Sequence, residues 1–105
     1  MTPAQVLREA RDIILRDGWI QNAYSSEQGY CVEGAIMRAC RHHGMKWMQA
    51  QGNEALAAFA PFAKAIGCES RHGALALWGD RPERTVQDVL SAFDRAILIA
   101  EGGAT

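Results

Sequence analysis

The strongest constraint on the fold is a pair of helix patterns, one at each end of the chain, with start and stop signals around them. In the first pattern Thr2 can serve as the N-cap, Pro3 suits the first helical position, and Gly18 can close the helix in a left-handed conformation. Between these signals the apolar residues recur at helical spacing: Val6, Leu7, Ala10, Ile13 and Ile14. This spacing predicts an amphipathic helix that packs one face on a core.

The last helix pattern follows the charged stretch WGDRPERTVQDV, which occupies residues 78–89. Thr85 and Asp88 have the spacing of a capping box, in which each side chain bonds the backbone amide of the other residue. The apolar positions that follow again recur at helical spacing, up to a pair of glycines: Val86, Val89, Leu90, Phe93, Ala96, Ile97 and Ala100. Gly79 and Asp80 supply a turn just before the helix. The charged stretch is therefore interpreted as a turn that sets the direction of the final helix and has no chemical role.

Two further helices are predicted in the middle of the chain. One should run from about Val32 to His43 and the other from about Asn53 to Ile66, each followed by a glycine. Pro61 lies inside the second of these patterns and predicts a kink or a division into two short helices. The side chains expected to face the core from this second pattern are Leu56, Phe59, Ala60, Ala63 and Ile66.

Two segments lack a regular apolar repeat. Residues 19–31 read WIQNAYSSEQGYC, where polar residues and a glycine interrupt the aromatic ones, so a short β-hairpin or an ordered loop is expected. Residues 44–53 either continue a helix or connect two helices, and the pattern leaves both open. The sequence therefore predicts a mainly α fold: one compact domain over residues 1–105, with four to five helices and a small hairpin or ordered loop after the first helix.

Composition places the chain among ordinary globular domains. Of its 105 residues 49% are hydrophobic and 22% are charged, which is enough for one core. No apolar run approaches the roughly 20 residues that a transmembrane helix needs, and charged residues interrupt the segment where a signal peptide would be apolar. We therefore expect no membrane partner and a cytoplasmic location. The net charge of −1 argues against nucleic acid as the partner.

Cysteine and histidine residues raise the question of metal or thiol chemistry. The three cysteines are an odd number and too few for a disulfide framework, so reduced thiols are expected. An alternative is a zinc site, because two pairs have ligand-type spacing: Cys40 with His43, and Cys68 with His72. The sequence lacks the two-cysteine knuckle of common zinc motifs and the motifs of common catalytic sites. The expectation is therefore no metal, no other cofactor and no catalytic residue.

Candidate binding residues fall into two groups. Asp80, Glu83, Arg81 and Arg84 form a compact charged cluster beside Trp78. Its residues Asp80 and Arg84, with Trp78, are either a loop clamp or part of a ligand site together with Trp19 and Cys31. The second group is either an interface, where methionine and tryptophan are common, or part of the core: Met45, Trp47 and Met48. A homodimer through close helix packing is suggested by an alanine face on the third helix: Ala55, Ala57 and Ala58.

Three segments of the chain also form a recognisable set. Leu15-Arg-Asp-Gly-Trp19 ends in Gly-Trp, Cys31-Val-Glu-Gly-Ala-Ile36 has the form Cys-x-x-Gly-Ala-aliphatic, and Trp78-Gly-Asp-Arg-Pro-Glu-Arg-Thr85 precedes Asp94-Arg-Ala96. Together they resemble the bacterial and phage family described as domain of unknown function 6197, although Gly79 stands where that family usually has asparagine. The resemblance implies a shared helical fold with no assigned activity. It also implies a common framework: Gly18, Trp19, Cys31, Gly34, Trp78, Asp80, Arg84 and Thr85.

The function expected from these observations is macromolecular binding with a protein partner, as in an accessory or inhibitor protein encoded by a phage or mobile element. One alternative is a small enzyme or ligand-binding domain that uses the turn from Trp78 to Arg84. A second alternative is a nucleic-acid-binding helical domain, for which residues 38–46 supply only a modest positive patch. An exposed apolar patch would favour the binding module, and a deep polar pocket would favour the enzyme.

Overall fold

The computed structural model describes residues 2–40 and 52–102. Within these residues it contains five helices and one two-stranded hairpin, which confirms the predicted mainly α fold. The elements in chain order are α1 (Pro3–Asp17), β1 (Ser25–Ser26), β2 (Gly29–Tyr30), α2 (Val32–Ala39), α3 (Gly52–Ile66), α4 (Ala74–Gly79) and α5 (Val86–Ala100). None of the helices in this part of the chain is long and apolar enough to cross a membrane.

Both terminal helices begin with a capping box. The box predicted for α5 is confirmed, since the Asp88 amide donates to Thr85 Oγ1 at 3.1 Å and the Thr85 amide donates to Asp88 Oδ2 at 3.0 Å. In α1 the predicted N-cap Thr2 forms a second box with Gln5, which the sequence analysis did not identify. These bonds satisfy amides that have no partner inside the helix, so each helix starts at a residue that its own sequence determines.

The core lies between α1, α2, α3 and α5. Phe62 of α3 and Phe93 of α5 are fully buried and pack edge to face, with ring centroids 4.9 Å apart. The other large side chains in this core that are fully buried include Leu7, Ile36, Phe59, Leu75 and Val89. At the rim, Arg11 of α1 forms an ion pair with Asp94 of α5 at 2.7 Å. Apolar burial between the helices therefore supplies most of the contact, with charges at its edge.

α3 differs from its prediction in two ways. It runs as one helix from Gly52 to Ile66 with Pro61 inside it, so the division into two short helices is wrong. The carbonyl freed by this proline belongs to Ala57, which is exposed and can bond water instead. The predicted inward face is also partly wrong, because Leu56 is 39% exposed and Ala60 is exposed. The face that α3 buries consists of Ala55, Ala58, Phe59, Phe62 and Ala63.

The two short helices also depart from the prediction. α2 ends at Ala39 with Cys40 at its C-cap, whereas the predicted end at His43 lies outside the described residues. α4 was predicted only as a turn at its last residues, and it is a helix of six residues. Such a helix is too short to display an apolar repeat. Its N-cap is Gly73, whose φ of +89° is left-handed and which has no side chain to bond the first amides.

Residues 19–31 contain a hairpin at residues 25–30, one of the two predicted alternatives. Ser25 pairs with Tyr30 across the antiparallel strands, and Trp19 forms a parallel bridge to Tyr30. Gly18 ends α1 with φ +103° and ψ 163°, which is not the left-handed helical conformation that was predicted. In this conformation its carbonyl oxygen accepts the Tyr30 amide at 3.0 Å, so the end of α1 is joined to the hairpin.

Candidate functional site

The turn before α5 is tied to the loop after α1 by three hydrogen bonds. Asp80 Oδ1 accepts the backbone amide of Asn22 at 2.8 Å. Gln21 Nε2 donates to the carbonyl oxygens of Gly79 and Arg81 at 2.9 and 2.7 Å. We call these five residues the loop–turn clamp. Because every bond involves a backbone group, the clamp sets the direction in which the chain leaves α4.

Arg84 is held against Trp78 just after this turn. Its Nε donates to the Trp78 carbonyl oxygen at 3.0 Å, and its guanidinium carbon lies 4.0 Å from the centroid of the Trp78 ring, a cation–π contact. From the core, Phe62 contacts Trp78 edge to face, with centroids 5.8 Å apart. In the described part of the chain Asp80 and Arg84 form no ion pair with each other. The Asp80 side chain bonds backbone of the loop after α1 and the Arg84 side chain bonds backbone at the turn itself, which supports the interpretation of a clamp.

Cys31 is the N-cap of α2 and is 3% exposed. Its Sγ accepts the backbone amide of Gly34 at 3.4 Å. Burial raises the pKa of the thiol to about 11, so the thiol is protonated at neutral pH. A protonated, buried thiol is a poor nucleophile. Trp19, the other partner suggested for a ligand site, is partly buried and packs against the core.

Glu33 is a buried charged residue that the sequence analysis did not single out. It lies in α2 and is fully buried. Its carboxylate accepts the backbone amide of Gly73 at 2.9 and 3.1 Å and that of Ala76 at 2.9 Å, and it contacts Nδ1 of His72 at 3.1 Å. Glu33 therefore caps α4 from another helix. The sequence contains an indication of this role, because a glutamate inside the apolar Cys31–Ile36 segment is expected to be buried and then needs hydrogen-bond partners.

The alternative zinc set is not assembled in the described residues. His72 contacts Glu33, and the Cys68 thiol donates to the carbonyl oxygen of Glu69 at 3.4 Å. Residues 2–40 and 52–102 contain no group of three or more potential ligands that could hold a metal ion. His43, the fourth member of the proposed set, lies outside the described residues.

The predicted interface residues have different outcomes. Met45, Trp47 and Met48 lie outside the described residues, so their role stays a prediction. In the alanine face that suggested a homodimer, Ala55 and Ala58 are fully buried in the core. These two alanines pack inside the monomer and are not available to a second copy. The homodimer itself stays a prediction, which light scattering of the purified protein would test.

A groove runs along the end of α3, α4 and residues 88–95 of α5. It consists of two hollows of about 380 and 310 Å³ whose walls share Ile66 and Trp78. Leu77 lines the first hollow and is 66% exposed, more than any other large hydrophobic side chain of the described residues. Arg84 and Arg95 line the second hollow. We call this surface the Trp78 groove.

The charges along the Trp78 groove are predominantly positive. Four arginines and two carboxylates line it: Arg71, Arg81, Arg84, Arg95, Glu69 and Asp88. Glu69 forms an ion pair with Arg71 at 2.7 Å, and Asp88 bonds the amide of Thr85 in the capping box. Among the described residues the other three arginines form no ion pair. The groove is therefore electropositive although the chain carries a net charge of −1.

The fold and this site define a small helical domain in which a clamped turn carries an arginine-lined groove. The chain belongs to the Family of unknown function (DUF6197), whose family model matches residues 1–98, and this confirms the resemblance noted from the sequence. No curated protein and no solved structure matches the chain. The segments that carry the resemblance include the cap at Cys31, much of the loop–turn clamp and the stack of Arg84 on Trp78.

Proposed function

We propose that this protein binds another protein through the Trp78 groove. The observation that carries the proposal is Leu77, a large apolar side chain that is 66% exposed in a concave surface beside Trp78 and Arg84. Leu77 shares its hollow with two half-buried apolar side chains, Ile66 and Trp78, and apolar side chains that cluster at a surface are typical of interaction sites. Tryptophan and arginine are enriched among the residues that contribute most to the free energy of binding between proteins.

Two observations favour a binding module over a small enzyme built on the same turn. The first is that Cys31, the candidate nucleophile in the predicted set, is buried, and burial raises the pKa of its thiol to about 11. The second is that Asp80 and Arg84 direct their hydrogen bonds to backbone groups of Asn22 and Trp78. In the proposed function these side chains support the groove, and Trp78 is held in place between the core and the guanidinium.

The proposal includes a cytoplasmic location. Among the described residues, Cys31 and Cys68 carry free thiols. Unpaired cysteines are common in reducing compartments and uncommon in secreted domains of this size, where they usually pair.

Peptide display tests the proposed function. A random peptide library is selected on the purified protein, and the affinity of each enriched peptide is then measured by biolayer interferometry. The variant Leu77→Gln removes the exposed anchor from the groove, and Leu15→Gln is the matched control, since Leu15 is 57% exposed on α1. We expect Leu77→Gln to weaken binding about tenfold, as loss of a buried apolar contact does, and Leu15→Gln to leave it unchanged. Selection of no peptide, or equal effects of the two variants, would overturn the proposal.

A further inference from the structure

We propose that the partner of the Trp78 groove is an acidic peptide segment with apolar anchor residues. This inference rests on the protein-binding function proposed above and states the chemistry of the partner. It combines three features of the groove: an excess of positive charge, a guanidinium that is already held in position, and an exposed leucine next to them.

The charge distribution favours a negatively charged partner. Arg81 lines the hollow beside Leu77, and Arg84 and Arg95 line the adjoining hollow. The two carboxylates of the groove are engaged in an ion pair and in a helix cap. A partner that brings carboxylates therefore meets an excess of arginines, three of which form no ion pair in the described structure. Electrostatic complementarity of this kind raises both association rate and specificity.

Arg84 is preorganised to bind a carboxylate. Its Nε is occupied by the carbonyl oxygen of Trp78, and the ring of Trp78 lies 4.0 Å from the guanidinium carbon. The two terminal nitrogens of the guanidinium remain as donors for a ligand. Because the side chain is already ordered by these contacts, binding of a carboxylate loses less conformational entropy than it would at a free arginine.

The same surface requires apolar groups from the partner. Leu77 is 66% exposed, and Ile66 contributes to the walls of both hollows. Ion pairs at a surface contribute little to the free energy of binding. Burial of these side chains by apolar anchors of the partner contributes the larger share. The chemistry is therefore that of a segment in which Glu or Asp residues alternate with large apolar residues.

A single-stranded nucleic acid fits this surface less well. Sequence-tolerant binding of single strands depends on aromatic rings on which bases stack. The ring of Trp78 is covered by the Arg84 guanidinium and is contacted edge to face by Phe62. The large apolar side chain that the groove exposes is instead an aliphatic one, Leu77.

Three display pools test the chemistry of the partner. The pools share random apolar positions, and their remaining positions are Glu and Asp, or Gln and Asn, or Lys and Arg. Selection on the wild-type protein is expected to enrich the acidic pool. If the amide or basic pool is enriched to the same extent and its binding depends on Leu77, the inference of an acidic partner is wrong. The proposed protein-binding function is not affected by that result. Enrichment of no pool would overturn both proposals.

A charge substitution gives the second arm of the test. Arg95→Gln in the groove is compared with Arg38→Gln on α2, an exposed arginine outside the groove, using a labelled acidic peptide from the first arm and fluorescence anisotropy. We expect Arg95→Gln to weaken binding about tenfold, the effect of losing one hydrogen bond to a charged group, and added salt to weaken wild-type binding. Arg38→Gln should bind like the wild type. Equal affinities of the two variants would contradict the inference, and so would an oligothymidine that displaces the peptide.

Discussion

The carboxylate of Glu33 in α2 accepts the backbone amide of Gly73 at the start of α4, at 2.9 and 3.1 Å from its two oxygens. Gly73 is the N-cap of α4 and has no side chain that could satisfy the first amides of the helix. A fully buried side chain of another helix therefore supplies the cap. Because Leu77 and Trp78 both lie in α4, this bond also positions one wall of the Trp78 groove.

Removal of the charge from Glu33 should destabilise the fold. In Glu33→Gln the amide nitrogen cannot accept the backbone amides, so hydrogen bonds to a buried charged group are lost. We expect the free energy of unfolding to fall by about 2–4 kcal/mol, measured by urea unfolding with circular dichroism. Glu83→Gln is the control, because Glu83 is exposed and should change stability by less than ~0.5 kcal/mol. Equal stabilities of the two variants would contradict the capping role.

Gly34 is required by close packing of backbone. A Cβ atom at this position would collide with the carbonyl oxygen of Tyr24, whereas one at Gly79 would lie 3.8 Å from Val32 Cγ2, an ordinary contact. Gly34→Ala should therefore lower the thermal unfolding temperature, with a cost of about 2–3 kcal/mol or more. Gly79→Ala should be tolerated, since alanine favours helix over glycine. A Gly34→Ala protein as stable as Gly79→Ala would show that the hairpin can move away from α2.

The buried thiol of Cys31 should make stability fall at alkaline pH. Its pKa is raised from 9.0 to about 11, so between these pH values the unfolded chain loses the thiol proton while the folded protein keeps it. The contribution of this group is fully present below pH 9 and is lost as pH rises through about 11. In Cys31→Ser a hydroxyl, which does not titrate in this range, replaces the thiol as acceptor for the Gly34 amide.

Urea unfolding across this alkaline range measures the effect. The free energy of unfolding of the wild type should fall by about 2–3 kcal/mol more than that of the serine variant. The comparison removes the contribution of tyrosine and lysine residues, which titrate in both proteins. Parallel pH profiles would show that Cys31 ionises in the folded protein as readily as in the unfolded chain.

Loss of the Asp80 carboxylate should loosen the loop–turn clamp. Asp80→Ala removes the acceptor of the Asn22 amide, and we expect a cost of about 1–2 kcal/mol in the free energy of unfolding. Hydrogen exchange of the Asn22 amide should become faster in the same variant. Glu83→Ala alters a carboxylate in the same turn that is exposed, and it should leave both quantities unchanged. If Asp80→Ala lost peptide binding and kept wild-type stability and exchange, Asp80 would be a ligand-contacting residue instead.

Features that depend on neighbours in sequence were predictable. The capping box of Thr85 and Asp88 joins residues three positions apart, and the bonds of Thr2 at the start of α1 are equally local. The face of α3 was less predictable, because apolar residues occur on several of its sides. Leu56 and Phe62 are both large and apolar, and only the positions of the other helices leave the leucine exposed and bury the phenylalanine.

The fold class, the terminal helices with their N-caps, and the family were therefore predictable from the sequence, since each depends on local spacing or on short motifs. Tertiary structure alone decided the partners of Glu33, which lie about forty residues further along the chain. It also brought Ile66, Leu77 and Arg95, from three different helices, to one groove. Packing in three dimensions selects which residues share a surface, and a local pattern contains no information about such distant partners.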